Sequence, residues 1–368
     1  MYPLLPLAIA AREQGHDISY AVDQGFHDLV RKLGFTVIDA GISIGEAFQQ
    51  VSRPQGTPEF DRDSLLEVAG HAFGSVLPRR FVEDLRPVVE RDKPDLVVFE
   101  ILNPGAGIVA LEAGIPAVCH GLGKIDGTLV PDVMRDRLLE FVAELGITLP
   151  GGQHYGLGAP YIDIFPPSLQ DLAFLSGVRR IPLRPIPFAE PGELPGWVIE
   201  HGRPLVYVTF GTAFANEDLL RTAVAGLSDV DAEVLVATGP LVEPSALPDL
   251  PGNVHVLPWV PQADLLAHAD LVVHHGGAGT TAAAMSHGVP QVVVPQGADQ
   301  FRNAEIVANA GLGAQLVGEQ FTREALHETA RELLRNTAVR DTAAGIAAEI
   351  AAMPHPDEVV PRLVELAS

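Results

Sequence analysis

The segment that most constrains the fold is Val272-Val-His-His-Gly-Gly-Ala-Gly-Thr-Thr281. Its β-branched residues are typical of a buried strand, and they give way to small residues and then to a helix-forming stretch. Such a strand–turn–helix unit builds parallel α/β sheets. Glycines let the backbone approach a ligand, and free N–H groups at a helix start attract anions. The segment therefore predicts an α/β fold with an anion site at this turn; the alternative is a turn that needs small residues only for packing.

Helical and strand-like patterns alternate along the chain in two series, which predicts βαβ units and parallel sheets. Between about residues 168 and 204 the pattern dissolves among the prolines at 182, 185, 187, 191 and 195, which indicates a linker without regular structure. We therefore predict two Rossmann-like, doubly wound parallel-sheet domains that face each other across a cleft. Their predicted limits are residues 1–185 and 186–352, followed by a C-terminal segment at 353–368.

The N-terminus departs from this pattern. A doubly wound domain normally opens with a buried strand and a glycine-rich turn ahead of its first helix. Here Met1-Tyr-Pro-Leu-Leu-Pro-Leu-Ala8 already reads as that turn and helix. We therefore expect the first, central strand of the N-terminal domain to be missing from this sequence.

Charge and composition exclude several classes of protein. The formal net charge of −23 disfavours binding to nucleic acid and to anionic membranes. An anionic ligand must therefore be held by groups at its own binding site rather than by the overall charge of the protein. The sequence has no apolar run of the ~18 residues that span a bilayer and no recognisable signal peptide, so we expect a cytoplasmic protein. The single cysteine, Cys119, lies in an apolar run and is expected to be buried and inert.

Three further segments of the C-terminal half suit parts of an activated sugar. Trp259 follows a strand and could stack on a base, unless it is a core tryptophan. Because strand residues alternate, one of the two adjacent histidines should point into the sheet, and we expect His275 to face the ligand. Asp299 and Gln300 suit sugar hydroxyls, although a helix cap explains Asp299 equally well. No third ligand lies near the histidine pair, so we expect no metal.

In the N-terminal half, Glu100 ends a strand-like stretch at residues 95–99. A carboxylate at that position could orient a histidine base, although an ordinary strand-end or capping glutamate is the alternative. His120 and Asn103 are candidates to line an acceptor site.

Taken together, these residues resemble a known family. Trp259-Val-Pro-Gln262, His275-Gly-Gly-Ala-Gly-Thr280 and Asp299-Gln300 resemble the donor motif of family 1, GT-B fold glycosyltransferases. The likeness is closest to the actinomycete branch that decorates natural products, including the calicheamicin-type enediyne glycosyltransferases. Further similarity, such as Phe165-Pro-Pro-Ser-Leu169 and residues 353–360, extends it over nearly the whole chain.

The resemblance implies a nucleotide-sugar-binding C-terminal domain, an acceptor-binding N-terminal domain and a final helix that returns to the latter. No cofactor is implied besides the co-substrate, a dTDP-sugar or related nucleotide sugar. The implied donor-binding residues are Phe210, Thr212, Thr238, Trp259, Val260, Gln262, His275, Gly277, Gly279, Thr280, Asp299 and Gln300. The family usually carries its histidine base just ahead of the segment that matches Met1-Tyr-Pro3, so in this sequence Glu100 is expected to be the partner of a base that the chain lacks.

The leading hypothesis is an inverting, metal-independent glycosyltransferase of antibiotic biosynthesis. It would move a deoxysugar from a dTDP-sugar to a hydrophobic, polyketide- or enediyne-like aglycone. The alternatives are a catalytically silent homologue that assists a partner transferase, and another GT-B enzyme such as a sugar-nucleotide epimerase. Homodimer formation is left open.

Overall fold

The computed structural model describes residues 2–51, 62–125, 132–149, 156–188, 192–212, 215–247 and 249–367, with the side chains of residues 62–66 left out. The chain divides into two compact units. The N-terminal unit comprises Met1–Ile164, Gln170–Leu183 and Pro354–Ser368, and the C-terminal unit comprises Phe165–Leu169 and Arg184–Met353. Which unit binds which substrate stays a prediction.

Both units alternate strands with helices. The strands are β1 (Ser19–Val22), β2 (Thr36–Asp39), β3 (Val97–Glu100), β4 (Ala117–His120), β5 (Tyr161–Asp163), β6 (Arg180–Pro182), β7 (Leu205–Thr209), β8 (Glu233–Ala237), β9 (Val254–Leu257), β10 (Leu271–His274), β11 (Gln291–Val293) and β12 (Gly313–Gln315). The α-helices are α1 (Leu5–Glu13), α2 (His27–Lys32), α3 (Ile44–Gln50), α4 (Arg62–His71), α5 (Leu77–Asp92), α6 (Gly105–Ala113), α7 (Asp132–Glu144), α8 (Leu172–Gly177), α9 (Gly196–Ile199), α10 (Glu217–Leu227), α11 (Gln262–Leu266), α12 (Ala278–His287), α13 (Gln300–Asn309), α14 (Arg323–Leu333), α15 (Thr337–Ala351) and α16 (Pro356–Ala367). A π-helical turn, Ala72–Val76, joins α4 to α5, and short 3-10 turns lie at Tyr2–Leu4, Gln24–Phe26, Pro167–Leu169, Pro244–Ala246 and Gly318–Gln320.

The C-terminal unit contains one parallel six-stranded sheet in the order β12-β11-β10-β7-β8-β9. Alternate residues of β7 enter two different hydrophobic clusters: Val206 and Val208 pack into one, and Leu205 and Tyr207 into the other. Because both faces are covered, its strands are continuous apolar runs rather than alternating ones. Strand order reverses between β7 and β10, as in a doubly wound nucleotide-binding domain.

The N-terminal unit carries two separate parallel sheets, β1-β2 and β3-β4-β5-β6. The last helix, α16, belongs to this unit, where Val359, Val360 and Leu363 form a cluster with Leu7 of α1. The mixed α/β architecture with parallel sheets in two units confirms the fold class predicted from the sequence.

The prediction that the proline-rich stretch lacks regular structure was wrong. That stretch contains α8, β6 and α9, and β6 pairs with β5 through Tyr161↔Arg180, Ile162↔Ile181 and Asp163↔Pro182. Pro182 is tolerated because it stands at the end of an edge strand, where no ladder hydrogen bond is lost. No helix within the described ranges is both long and apolar enough to cross a bilayer.

Candidate functional site

The turns that follow β7 and β10 meet at the strand-order reversal of the C-terminal sheet. Gly211, after β7, has φ +74°, and a Cβ placed on it would lie 2.7 Å from Cε1 of His275, after β10. The imidazole therefore packs directly on the backbone of Gly211. Crevices at the carboxyl ends of strands on either side of such a reversal are where parallel α/β sheets bind ligands.

Residues 275–277, here called the glycine turn, connect β10 to α12. Gly276 has φ +90°, a conformation that side chains rarely adopt, and a Cβ on it would lie 2.6 Å from Cγ1 of Val293. Gly277 is the N-cap of α12 and provides no side-chain cap. The first N–H groups of this ten-residue helix are consequently not capped by its N-cap side chain, which is the arrangement that holds anions at helix N-termini.

His274 faces the interior of the sheet. It is fully buried, its Nε2 donates to Oε1 of Gln291 (2.9 Å), and its Nδ1 accepts the Gly276 N–H (3.1 Å). Burial lowers the pKa of His274 to about 3, so the ring is neutral at physiological pH. The neutral tautomer fixes the backbone of the glycine turn by accepting the Gly276 N–H.

His275 points the other way, between the two turns. A Cβ on Gly277 would lie 2.5 Å from its Nε2, so the ring is held between Gly211 and Gly277. Burial also lowers the pKa of His275. A neutral imidazole still donates one hydrogen bond, which suits an anionic oxygen.

The segment after β9 approaches the start of α12. Trp259 is 51% exposed and packs against the backbone of Gly192, whereas Val260 is buried. Oε1 of Gln262 is 3.4 Å from the hydroxyl of Thr280, which donates to it. The structure thus brings the Trp259 segment and the first turn of α12 together.

Asp299 and Gln300 lie at the start of α13, and both are tied into the protein. Oε1 of Gln300 accepts the N–H groups of Gln296 (2.8 Å) and Gly297 (3.1 Å), and the side chain is almost fully buried. Asp299 is the N-cap residue of α13, as the capping alternative expected, although its side chain makes no cap hydrogen bond. Burial raises the pKa of Asp299, against the opposing effect of its hydrogen bond with Asn303.

Asn303 was not identified from the sequence. Its Nδ2 donates to the carbonyl of Gly276 (2.8 Å) and to Oδ2 of Asp299 (2.9 Å). Helix α13 is therefore fastened to the glycine turn. Asn303 stands four positions after Asp299, one helical turn on, and that spacing was the available signal.

Two predicted donor-binding side chains are placed differently from the expectation. Phe210 is fully buried and packs on Phe321 with ring centroids 6.1 Å apart, so only its backbone can face a ligand. Thr238 is also fully buried, and its hydroxyl lies 3.4 Å from the carbonyl of Gly239. Both stand at strand ends, where the alternation of side chains directs them into the core. Thr212 is exposed, and Gly279 has open space where a Cβ would lie.

In the N-terminal unit, Glu100 and Asn103 line a cavity of about 1520 Å³. Oε1 of Glu100 accepts the Leu102 N–H (2.9 Å), and Oδ1 of Asn103 is buried without a hydrogen-bond partner among the described residues. Burial raises the pKa of Glu100 to about 7, although the Leu102 N–H opposes the shift. The carboxyl is thus poised to exchange a proton near neutral pH.

The position of His120 differs from the prediction that it lines an acceptor site. It pairs with Glu100 across β3 and β4, but its side chain is fully buried and does not line the cavity. Nδ1 donates to the carbonyl of Gly121 (2.7 Å), and burial lowers the pKa of the ring to about 4. Within the ranges that the structure describes, no cluster of three or more His, Cys, Asp or Glu residues could hold a metal ion.

Family models match almost the whole chain. The model for the N-terminal domain of erythromycin biosynthesis protein CIII-like proteins matches residues 9–211, and the C-terminal-domain model matches residues 221–366. The chain belongs to the EryCIII-like glycosyltransferase family. This EryCIII-like chain is 32% identical, over 380 residues, to the elloramycin glycosyltransferase ElmGT of Streptomyces olivaceus, covering 99% of this chain and 93% of that protein.

Solved structures similar to this chain are also glycosyltransferases. The glycosyltransferase SsfS6 of Streptomyces sp. SF2575, complexed with thymidine diphosphate, superposes with a TM-score of 0.81 at 27% identity, covering 99% of this chain and 96% of that one. The calicheamicin glycosyltransferase CalG4 superposes with a TM-score of 0.82 at 22% identity, covering 100% and 94%, and shows the shared GT-B fold. This EryCIII-like protein is a glycosyltransferase, and the comparisons lend no support to a catalytically silent helper.

Proposed function

We propose that this glycosyltransferase moves a deoxysugar from a dTDP-sugar to a hydrophobic natural-product aglycone, with inversion at the anomeric carbon. The observation that carries the donor half of this proposal is the junction of the turns after β7 and β10. There, His275 lies against Gly211 and Gly277 at the start of α12, whose N-cap residue is a glycine. A protein with a net charge of −23 needs such a local site to hold a diphosphate.

The donor binds in three parts in this proposal. The half-exposed ring of Trp259 stacks on thymine, and the backbone of Val260 contacts the edge of the base. The glycine turn, Gly279 and Thr280 face the diphosphate. Asp299 addresses the sugar hydroxyls through its partly buried carboxylate, and Gln300 acts chiefly by holding the backbone of residues 296 and 297.

The reaction is a single displacement. The acceptor hydroxyl loses its proton to a base as its oxygen attacks C1 of the sugar, and the bond between C1 and the diphosphate oxygen breaks. The departing dTDP carries the electron pair, and its new negative charge is stabilised by the N–H groups of α12 and by a hydrogen bond from His275. Glu100 is proposed to orient that base, which keeps the proton taken from the acceptor hydroxyl, and to stabilise the positive charge that the base thereby gains.

The acceptor site is assigned to the carboxyl edge of β3, where Glu100 and Asn103 lie. A lipophilic aglycone is proposed because the relatives act in natural-product pathways and because apolar side chains, such as Ile42 and Leu122, line the cavity beside them. Homodimer formation stays a prediction.

The test is calorimetric titration of the full chain with dTDP and with UDP. We expect dTDP to bind and Trp259→Ala to weaken it about 5- to 150-fold, the loss of about 1–3 kcal/mol for one stacked base. Ile199→Ala is the matched control, because it truncates a similarly exposed apolar side chain of the same unit. A folded chain that binds neither nucleotide would contradict the donor assignment.

A further inference from the structure

Two buried polar side chains form a hydrogen-bonded chain that ends at the glycine turn. Nδ1 of His274 lies 3.1 Å from the backbone nitrogen of Gly276, and Nε2 of the same ring lies 2.9 Å from Oε1 of Gln291. His274 and Gln291 are both fully buried. The chain therefore runs from the start of β11, through the end of β10, to the backbone of the turn.

The backbone determines the direction of both hydrogen bonds. The Gly276 N–H can only donate, so Nδ1 of His274 must be the acceptor. In a neutral imidazole the proton is then on Nε2, and that nitrogen donates to the amide oxygen of Gln291. An amide nitrogen in the same place would set one donor against another. Gln291 thus selects the tautomer in which His274 can hold the turn.

The pair lies in an apolar part of the sheet. Gln291 is paired with Val272 in the parallel register, and His274 follows Val272 by two positions, so both side chains leave the sheet on the same face as Val272. That face packs in the hydrophobic cluster that also contains Ala283 and Ala284 of α12. Apolar side chains of similar size would pack here without needing hydrogen-bond partners.

The arrangement also leaves one polar group unsatisfied. With its oxygen facing His274, the Gln291 amide has its Nε2 buried and without a hydrogen-bond partner among the described residues. A buried N–H group without a partner destabilises a fold, and an apolar pair would avoid that penalty. Stability of the sheet therefore does not explain the pair, whereas its hydrogen bond to Gly276 gives it a purpose at the site.

This hydrogen bond determines which backbone groups a ligand can meet. The N–H of Gly276 is taken by His274, and its carbonyl accepts a hydrogen bond from Nδ2 of Asn303 (2.8 Å). The Thr281 N–H already donates to the carbonyl of Gly277. The N–H groups that the helix itself leaves open are those at residues 277–280. Because Gly276 is held at φ +90°, the turn has one shape, and these groups have one direction.

We propose that His274 and Gln291 are positioning residues of the nucleotide-sugar site. Gln291 holds His274 in one tautomer, and His274 holds the Gly276 N–H, so that the open N–H groups of α12 are directed at the diphosphate. Both side chains act from inside the sheet. This inference rests on the proposed function, because that function makes a diphosphate the ligand of the turn. It extends the site from the carboxyl edge of the sheet to the start of β11.

The test compares two substitutions of His274 that keep different parts of its chemistry. The amide oxygen of asparagine reaches the place of Nδ1 and can accept an N–H two residues on, as in an Asx turn, whereas the amide of glutamine reaches the place of Nε2. In calorimetry, we expect His274→Gln to weaken dTDP binding at least about fivefold, the equivalent of one neutral hydrogen bond, and His274→Asn less than about twofold. A role in packing alone predicts the opposite order, because glutamine is closer to histidine in volume.

A second pair of variants tests Gln291. Gln291→Glu keeps an oxygen that accepts the Nε2–H in either protonation state, whereas Gln291→Leu removes that oxygen at a similar volume. We expect Gln291→Leu to weaken dTDP binding by about threefold or more and Gln291→Glu by less than about twofold. The Tm of Gln291→Leu should change little, because the substitution exchanges one unsatisfied buried nitrogen for another.

Hydrogen exchange of the Gly276 N–H, followed by NMR with isotope-labelled glycine, measures the hold on the turn directly. Exchange should be slow in the unchanged chain and in His274→Asn, and fast in His274→Gln. Equal losses of dTDP affinity in these two variants, or a larger loss in His274→Asn, would overturn the proposal. If the His274 variants do not fold, equal affinities in the Gln291 pair would overturn it. If the unchanged chain bound no dTDP, the nucleotide site itself would fail, and exchange at Gly276 would still decide whether the pair holds the turn.

Discussion

The two units use the carboxyl edges of their sheets in different ways. In the C-terminal unit, the edge of β7 and β10 is formed by backbone: Gly211, the glycine turn and the first N–H groups of α12 surround one neutral histidine. In the N-terminal unit, the edge of β3 and β4 carries the titratable groups Glu100 and His120 beside a large apolar cavity. Backbone N–H groups keep their partial charge at every pH, whereas a carboxyl with a pKa near 7 does not. The first site should therefore respond to changes in shape and the second to changes in pH.

The sharpest way to break this contrast is His275→Ala. Loss of one donor to the departing diphosphate should lower kcat by at least ~10²-fold, and turnover assays with a dTDP-sugar measure it. His287→Ala is the matched control, because His287 ends the same helix and, among the described residues, hydrogen-bonds only to the carbonyl of Ala283, one turn earlier in that helix. Turnover close to that of the unchanged chain in His275→Ala would remove the histidine from the donor site.

A second change tests whether shape alone governs the C-terminal site. Gly277→Ala places a Cβ 2.5 Å from Nε2 of His275, so the ring must move while the φ of −61° remains acceptable. We expect dTDP affinity to fall at least tenfold, about 1.4 kcal/mol, by calorimetry. A Cβ at Gly279 would have no other atom within 4 Å, so the Gly279→Ala variant should fold normally. A bound diphosphate would contact its new methyl group. Unchanged affinity in both variants would show that the diphosphate lies elsewhere.

The third change tests whether pH governs the N-terminal site. The folded pKa of Glu100, about 7, lies above its ordinary value of 4.5. The folded state therefore holds a proton that the unfolded chain has lost, and the stability this confers is present below pH 4.5 and is lost as pH rises through 7. Glu100→Gln should match the unchanged chain at low pH and be more stable above pH 7, by an amount on the order of 3 kcal/mol, since each unit of difference between the folded and unfolded pKa corresponds to about 1.4 kcal/mol. Denaturant unfolding between pH 4 and 8 measures this, and a difference in stability between the two proteins that does not change with pH would contradict it.

The smallest expected effect is on stability, and it compares an alanine substitution at an ordinary helical glycine with one in the glycine turn. Gly345 lies within α15, is exposed, and has no other atom within 4 Å of the place that a Cβ would occupy. Gly345→Ala should raise the free energy of unfolding by about 0.5–1 kcal/mol, because glycine is the poorer helix former. Gly276→Ala, with φ +90° and a Cβ 2.6 Å from Val293, should lower it. Thermal unfolding compares the two, and equal shifts would show that the glycine turn tolerates a side chain.

Local chemistry explains which parts of the fold could be predicted. The strand–turn–helix at 272–281 was predictable because strand alternation and glycine content determine its shape, and the structure gives β10, the glycine turn and α12. The burial of Phe210 and Thr238 was missed, because the sequence shows which residues follow a strand but not which face they take. The proline-rich stretch was also misread, since edge pairing of β6 with β5 depends on residues far apart in sequence.

The Asn303 amide has a consequence for redesign of the enzyme. Its hydrogen bonds to Gly276 and Asp299 join the loop that carries Asp299 to the glycine turn. Under the proposed function, exchanging residues of that loop to accept a different sugar will also displace the turn that grips the nucleotide. A substitution that changes sugar preference would then also change the affinity for dTDP. Variants made to accept a different sugar should therefore be measured for binding of dTDP alone as well as for binding of the new donor.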